Sequence, residues 1–227
     1  MTDSLQLYSA LLTAFCHHIP SANYADLRHL YVLAWGVVGV CMTETVNFNK
    51  WGEVVISLAQ YAGSHQRYFQ RWLKNERIKP LKLYYPLLNF ALSSWSLDKT
   101  LYLALDVSKL INGYMLIRLA LVYRGRAIPV TWRVMKHHSA SVSYQEYKVL
   151  LKQALLILPQ GRPLVLLTDR GFVHAKLVKF CRTNKWGYRI RAKSSTKVRL
   201  PDRSVANFAD LCLTTWLRRQ RKIVSRF

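Results

Sequence analysis

The sequence PLVLLTDRGF, residues 163–172, places a carboxylate, Asp169, directly after a run of aliphatic residues. The run is too short for a helix, and Pro163 and Gly171 flank it, so it predicts a β-strand buried on both faces. An ionised carboxylate at the end of such a strand is costly unless a cation, hydrogen-bond donors or a metal stabilise it. This stretch alone leaves two interpretations open: a turn or helix-cap aspartate, or a ligand.

A second segment, TLYLALDVSK at residues 100–109, repeats the arrangement with Asp106. Mg²⁺ prefers oxygen ligands, usually one or two carboxylates together with water and substrate phosphate. If the two strands are neighbours in one sheet, their carboxylates converge. Asp106 and Asp169 are therefore the candidate catalytic and metal-binding residues, with Mg²⁺ or Mn²⁺ as the ion.

The charge of the chain is strongly positive, with 34 Lys and Arg against 11 Asp and Glu and a formal net charge of +23. Most of this charge lies in residues 100–227, where 25 basic side chains accompany five acidic ones. Metal-binding acids in such a basic region favour a nucleic acid as the partner, because its phosphates supply the opposite charge. A merely solvated cationic surface, or attraction to an anionic membrane, is the alternative.

Cysteine spacing and hydrophobic segments argue against several classes of protein. The four cysteines form no close-spaced pair, so neither a zinc site nor a disulfide framework is predicted, and a reducing cytoplasm is expected. The longest apolar segment, residues 30–42, is shorter than the roughly 20 residues needed to span a bilayer, which favours a buried core helix. The N-terminus lacks the features of a secretory signal. We expect no membrane partner.

Residues 1–97 have the apolar spacing of helices, with breaks near Pro20, Gly63 and Pro80. Residues 56–75 fit a helix-turn-helix around Gly63, with Ala59 four positions earlier. Its second helix is expected to bury Tyr68, Phe69, Trp72 and Leu73 and to leave Gln66, Arg67, Gln70, Arg71 and Lys74 outward. Arg67, Arg71 and Lys74 are thus candidates for DNA binding. An ordinary amphipathic helical hairpin gives the same pattern.

From residue 99 the pattern changes to strands separated by helices, which predicts an α/β fold. The predicted order is a strand at residues 100–109, a hairpin turning at Gly125, a helix over 144–158, the Asp169 strand, a helix over about 173–184 and an alternating strand at 186–193. This order gives a mixed sheet with flanking helices. A right-handed helical crossover would place the first strand beside the fourth.

The segments LALDVS, LLTDRGF and GYRIRAK, in this order, resemble the DDE transposases of bacterial insertion sequences, and within them the insertion-sequence-four family. The resemblance covers about residues 99 to 200. It implies an RNase-H-like catalytic core at 98–200, a helical DNA-binding region at 1–97, and the start of a β-rich insertion at 201–227.

The resemblance also implies an activity and a site. Asp106 would be the first catalytic acid and Asp169 the second, with Mg²⁺ or Mn²⁺ as cofactor. The protein would bind double-stranded DNA at the ends of the element, as a homo-oligomer, and catalyse phosphodiester cleavage and strand transfer. Its location would be the bacterial cytoplasm, at the nucleoid.

The third catalytic acid of that family, a later glutamate, has no counterpart here. No glutamate follows Glu146, and only Asp202 and Asp210 are acidic beyond Asp169. The chain therefore resembles a transposase truncated within its β-rich insertion, with apolar surface exposed on one side of the sheet and incomplete activity. Glu146 is expected to be a solvated helix residue, and Asp202 a turn residue.

Basic side chains in and after the predicted core are expected to contact the DNA backbone, which supplies affinity but little sequence information. They are Arg170, Arg189, Arg191, Lys193, Arg218, Arg219, Arg221 and Lys222. Two other functions stay open. The chain could be a non-catalytic DNA-binding remnant or regulator of transposition, or another RNase-H-like metal nuclease that acts on junctions or hybrids.

Overall fold

The structure, a computed structural model, describes residues 3–56, 62–137 and 142–211. Contacts divide the chain into two units, Met1–Ser96 and Leu97–Phe227. Within the described residues the first unit contains helices and the second contains all the strands. The division falls beside the boundary expected between the helical region and the sheet.

The first unit follows the apolar spacing and the prolines. Its helices are α1 Asp3–His18, α2 Arg28–Thr43, α3 Phe48–Trp51, α4 Ala62–Leu73 and α5 Pro80–Ser93. The predicted breaks at Pro20 and Pro80 are confirmed: α1 ends before Pro20, and Pro80 opens α5, where its missing N–H is not needed. The apolar segment at residues 30–42 lies within α2, as predicted. No described helix is long and apolar enough to cross a membrane.

The predicted break near Gly63 falls at the beginning of α4, and residues 57–61 before it lie outside the described residues. Gly63 is the second residue of α4, and a Cβ added there would meet nothing within 4 Å. A helix-turn-helix needs its glycine where two helices cross closely, and Gly63 makes no such approach to the described residues. Ala59, the other small residue of the predicted motif, lies outside the described residues.

The buried face of α4 is only partly the predicted one. Phe69 is buried and Trp72 half-buried, but Tyr68 and Leu73, also predicted inside, are exposed. The third inward residue is His65, which the apolar pattern missed because histidine is polar. These inward positions are spaced by four and three residues, so one helical face accounts for them.

Helices α2 and α3 approach closely at Gly39, where an added Cβ would lie 2.5 Å from Cδ2 of Trp51. Trp51 is buried, and its indole N–H donates to the carbonyl oxygen of Thr45 at 2.8 Å, so the ring cannot move aside without losing that bond. We expect Gly39→Ala to lower the free energy of unfolding by about 1–3 kcal/mol, measured by chemical denaturation. Gly36→Ala, on the same helix, is the control, since its Cβ would make an ordinary 3.8 Å contact with Phe69. Equal losses in both variants would contradict this.

A five-stranded mixed sheet forms the centre of the second unit. Its strands are β1 Leu101–Lys109, β2 Tyr114–Tyr123, β3 Arg126–Lys136, β4 Leu164–Thr168 and β5 Gly187–Ile190, in the order β3-β2-β1-β4-β5. Strands β1 to β3 are antiparallel, whereas β4 pairs parallel with both β1 and β5. The predicted neighbourhood of the first and fourth strands is therefore confirmed.

The connections of the sheet also follow the sequence signals. Arg124 and Gly125 both have positive φ, 46° and 74°, and form the two-residue turn between β2 and β3. Helix α6, Tyr144–Ile157, ends before Pro159 and leads to β4. Helix α7, Ala175–Thr183, connects β4 to β5. The hairpin and both helices are where the pattern predicted them.

The two helices cover one face of the sheet. Leu105 pairs with Leu119 and Leu119 with Thr131, whose hydroxyl donates to Gln153 of α6 at 2.7 Å. The segment leading into α7 packs on α6 as well. The opposite face, here called the open face, carries Tyr102, Ala104, Asp106, Leu116, Arg118, Val122, Val134, Leu167 and Arg189.

The prediction that β1 and β4 are buried on both faces is wrong. In β1 the leucines at 101, 103 and 105 are buried, while Tyr102 and Asp106 on the open face are exposed. In β4, buried and half-buried residues alternate. The reason is that α6 and α7 lie on the same side of the sheet. Tyr102, Val122 and Val134 are exposed on the open face, so the expected apolar surface on one side of the sheet is present in the described residues.

A separate two-stranded hairpin follows the main sheet. Its strands are β6 Lys197–Arg199 and β7 Val205–Asn207, so the boundary predicted between residues 200 and 201 falls inside the hairpin. Asp202 lies in the turn, where Oδ1 accepts hydrogen bonds from the hydroxyl of Ser204 at 2.6 Å and its N–H at 2.9 Å. These bonds lower the pKa of Asp202 and confirm its predicted turn role.

Candidate metal and nucleic-acid site

The structure brings Asp106 and Asp169 to neighbouring strands of one sheet. Leu105 of β1 and Thr168 of β4 form the last parallel pair, and each aspartate is the next residue along its chain. The backbone of Asp169 is still extended, with φ −80° and ψ 179°. Because adjacent strands lie about 4.8 Å apart, the two residues occupy side-by-side positions on neighbouring inner strands, at the point where β4 ends.

Asp106 has a cation opposite it that the sequence pattern did not reveal. Arg118 of β2 is its cross-strand partner, with an Nη2 to Oδ2 distance of 4.0 Å. The side chains are 56% exposed for Asp106 and 36% exposed for Arg118, so the pair is worth at most about 1 kcal/mol. A ligand that binds Asp106 therefore competes with a weak interaction.

Asp169 caps the short 3₁₀ helix Arg170–Phe172. Its Oδ1 accepts the N–H of Gly171 at 2.9 Å. The cap interpretation of the sequence is thus correct, and it does not exclude the ligand interpretation, because the cap uses only one of the two oxygens. Asp169 is exposed, so its second oxygen is accessible to an ion.

An aromatic cluster fixes the segment after Asp169. The ring of Tyr147 on α6 packs edge-on against Phe172 with centroids 5.2 Å apart, and Tyr144 stacks on His174 at 5.6 Å. Tyr147 is almost fully buried, and burial raises its pKa to about 12. The cluster anchors the loop of the second aspartate to α6. The helix predicted over residues 144–158 carries both tyrosines, but the sequence pattern did not reveal these contacts.

Glu146 is not the solvated residue that was predicted. Its Oε2 accepts the backbone N–H of Ser143 at 2.6 Å in a capping box at the start of α6. Its Oε1 lies 3.7 Å from Nε2 of His137, and the side chain is only 21% exposed. The signal was present, since serine followed three residues later by glutamate is a capping-box sequence. Glu146 is therefore engaged at the helix start.

The described residues contain no group of three or more His, Cys, Asp or Glu side chains that could hold a metal ion. Asp202 is engaged in its own turn. The site thus offers two carboxylates, which is what a single Mg²⁺ ion bound with water and phosphate requires.

Basic side chains accompany the aspartates on the open face. Arg189 is in register with Leu167, and the N–H of Arg191 donates to Thr168 at 3.0 Å, which extends the pairing so that Arg191 is beside Asp169. The predicted DNA-binding residues Arg170, Arg189, Arg191 and Lys193 are all exposed, as are Arg67, Arg71 and Lys74 of the first unit. Arg218, Arg219, Arg221 and Lys222 lie outside the described residues.

No protein-family model matches this chain, and no curated protein matches it.

Proposed function

We propose that this chain is a DNA-binding protein of the DDE transposase type, with an RNase-H-like core in which Asp106 and Asp169 hold one Mg²⁺ or Mn²⁺ ion. The observation that carries the proposal is the position of the two aspartates. Each follows a member of the last residue pair between the parallel strands β1 and β4. The partner is double-stranded DNA of an insertion-sequence end, in the bacterial cytoplasm.

The chemistry of the site agrees with a metal bound against a phosphate. When bound, a divalent ion polarises a phosphoryl oxygen and activates water for attack at phosphorus. Asp106 and Asp169 would bind the ion, and the weak pairing of Asp106 with Arg118 would give way to it. Arg189 and Arg191 would hold the DNA backbone on the same face as the ion.

A second candidate function is DNA binding without cleavage, as in a regulator that occupies element ends. The observation that favours it is the engagement of Glu146 in the α6 capping box, together with the lack of a third ligand among the described residues. Incubation of purified protein with element-end DNA and Mg²⁺ distinguishes the two, because only the catalytic protein nicks the DNA. Another RNase-H-like nuclease would instead cut junctions or hybrids without element ends.

Metal binding can be tested without any cleavage assay. We expect Mn²⁺ to raise the melting temperature of the protein, since a ligand at 100 times its Kd stabilises the folded state by about 2.7 kcal/mol. Asp106→Asn or Asp169→Asn should abolish most of this increase by removing one of two ligands. Asp202→Asn is the matched control, because this aspartate is engaged in the β6–β7 turn. Equal Mn²⁺ stabilisation of all three variants would refute the metal site.

A further inference from the structure

A cleft between α6 and α7, with a volume of about 400 Å³, combines basic and aromatic side chains. Lys148 of α6 and Lys176 and Lys179 of α7 line it, together with the rings of Tyr144 and Phe180. None of its lining residues is acidic. A volume of this size is within the range of small-molecule sites, about 300–1,000 Å³.

The aromatic walls of this cleft are fixed in place. Tyr144 is buried and stacks on His174, and Nζ of Lys148 lies 6.0 Å from the centre of the Tyr144 ring. Phe180 packs edge-on against Trp186 with centroids 5.6 Å apart. The lysines thus extend from two helices whose aromatic side chains lining the cleft are packed against neighbouring rings.

The cleft is positively charged, which favours an anion as its ligand. Three ammonium groups of the same sign repel one another, and a concave surface concentrates their field. The acid nearest along α6, Glu146, is already engaged with the N–H of Ser143 and with His137. An anion in the cleft would neutralise the lysines and pack against the aromatic walls.

The cleft is separate from the two aspartates. It belongs to the helical layer, which covers the face of Leu105 and Leu119. Asp106 is the next residue after Leu105 and therefore lies on the open face. Neither aspartate lines the cleft, so the cleft is a binding site distinct from the metal site.

We propose that this cleft binds a phosphate group of a nucleic-acid backbone, as a second contact on the side of the sheet opposite the aspartates. The ammonium groups pair with the phosphate, and Tyr144 and Phe180 offer apolar contact to the attached sugar or base. The strongly positive charge of residues 100–227 favours nucleic acid over other anions, since it attracts the whole backbone toward this unit.

The first test removes the charge of the cleft. Lys148, Lys176 and Lys179 are changed together to Gln, and the control changes the exposed Lys136, Lys152 and Lys197, which do not line the cleft. Both triple variants lose the same net charge. Binding of a fluorescent dT20 strand and of a 20-base-pair duplex is measured by anisotropy at several salt concentrations.

We expect the cleft variant to bind about tenfold more weakly than the control variant. The slope of log K against log salt should fall by about 1, as for one lost phosphate contact. Equal affinities and slopes in the two variants would overturn the proposal. Circular dichroism spectra matching those of the parent establish that both variants fold.

The second test leaves the cleft unmutated. Lysine acetylation of the parent protein, read by mass spectrometry, should decrease more at Lys148, Lys176 and Lys179 than at Lys136 when dT20 is bound. If the cleft lysines are still protected by dT20 in the Asp106→Asn variant, the cleft binds the strand independently of the proposed metal site. Equal protection by the same concentration of inorganic phosphate or dTMP would overturn a backbone contact in favour of a free anion. Protection only by anionic phospholipid vesicles would overturn it in favour of a membrane.

Discussion

Binding of this protein to double-stranded DNA is expected to weaken by about 10³- to 10⁵-fold between 50 and 200 mM salt. Residues 100–227 carry 25 basic and five acidic side chains, and such an excess releases counterions from DNA on binding. Six to ten phosphate contacts give a loss of this order. The measurement is anisotropy of a labelled duplex across a salt series.

Substitutions on the open face should change how steeply DNA affinity falls with salt concentration. The double variant Arg189→Ala with Arg191→Ala removes two exposed cations from the open face. The slope of log K against log salt concentration should therefore become less steep by about 2. Arg126→Ala with Arg133→Ala, on the edge strand β3, is a control of the same charge. Binding that does not depend on salt, or no binding at all, would contradict the electrostatic argument.

No strand transfer is expected from this 227-residue chain alone with element-end DNA and Mg²⁺ or Mn²⁺. In-line displacement at phosphorus by two metal ions, about 4 Å apart, needs ligands for both ions. Asp106 and Asp169 suffice for one ion, whereas Glu146 caps α6 and Asp202 binds Ser204 in its turn. The second ion therefore lacks a carboxylate within the described residues.

The assay for this expectation follows joined products on a sequencing gel, with Asp106→Ala as the reference for background. Strand transfer by the parent chain that disappears in Asp106→Ala would contradict the expectation. It would require the missing ligand to come from Asp202, Asp210 or another subunit.

The local elements of the second unit could be predicted because their signals are short-range. Gly125 marked the turn of a hairpin, and Pro159 marked the end of α6. Apolar runs ending on Asp106 and Asp169 marked two strands, and the handedness of the crossover then placed these strands side by side. The neighbourhood of the two aspartates followed from these local signals and one topological rule.

Features that depend on packing between elements could not be predicted in the same way. Arg118 faces Asp106 only because of the β1–β2 register, which no sequence pattern stated. The exposure of β1 and β4 on the open face did not follow from their apolar runs, because an apolar run does not show whether helices cover one side of a strand or both. In the first unit, Gly39 is packed tightly against a neighbouring helix and Gly63 is not, since Trp51 lies over Gly39.

The parallel pairing of β1 with β4 also determines when the candidate site forms as the chain folds. Strands β1, β2 and β3 pair with sequence neighbours, so we expect this meander to form before β4, which reaches β1 only through the α6 crossover. Asp106 would then be in place before Asp169 reaches it. A nascent chain that has not yet released β4 from the ribosome would display the first aspartate alone, without affinity for the ion that the pair would share.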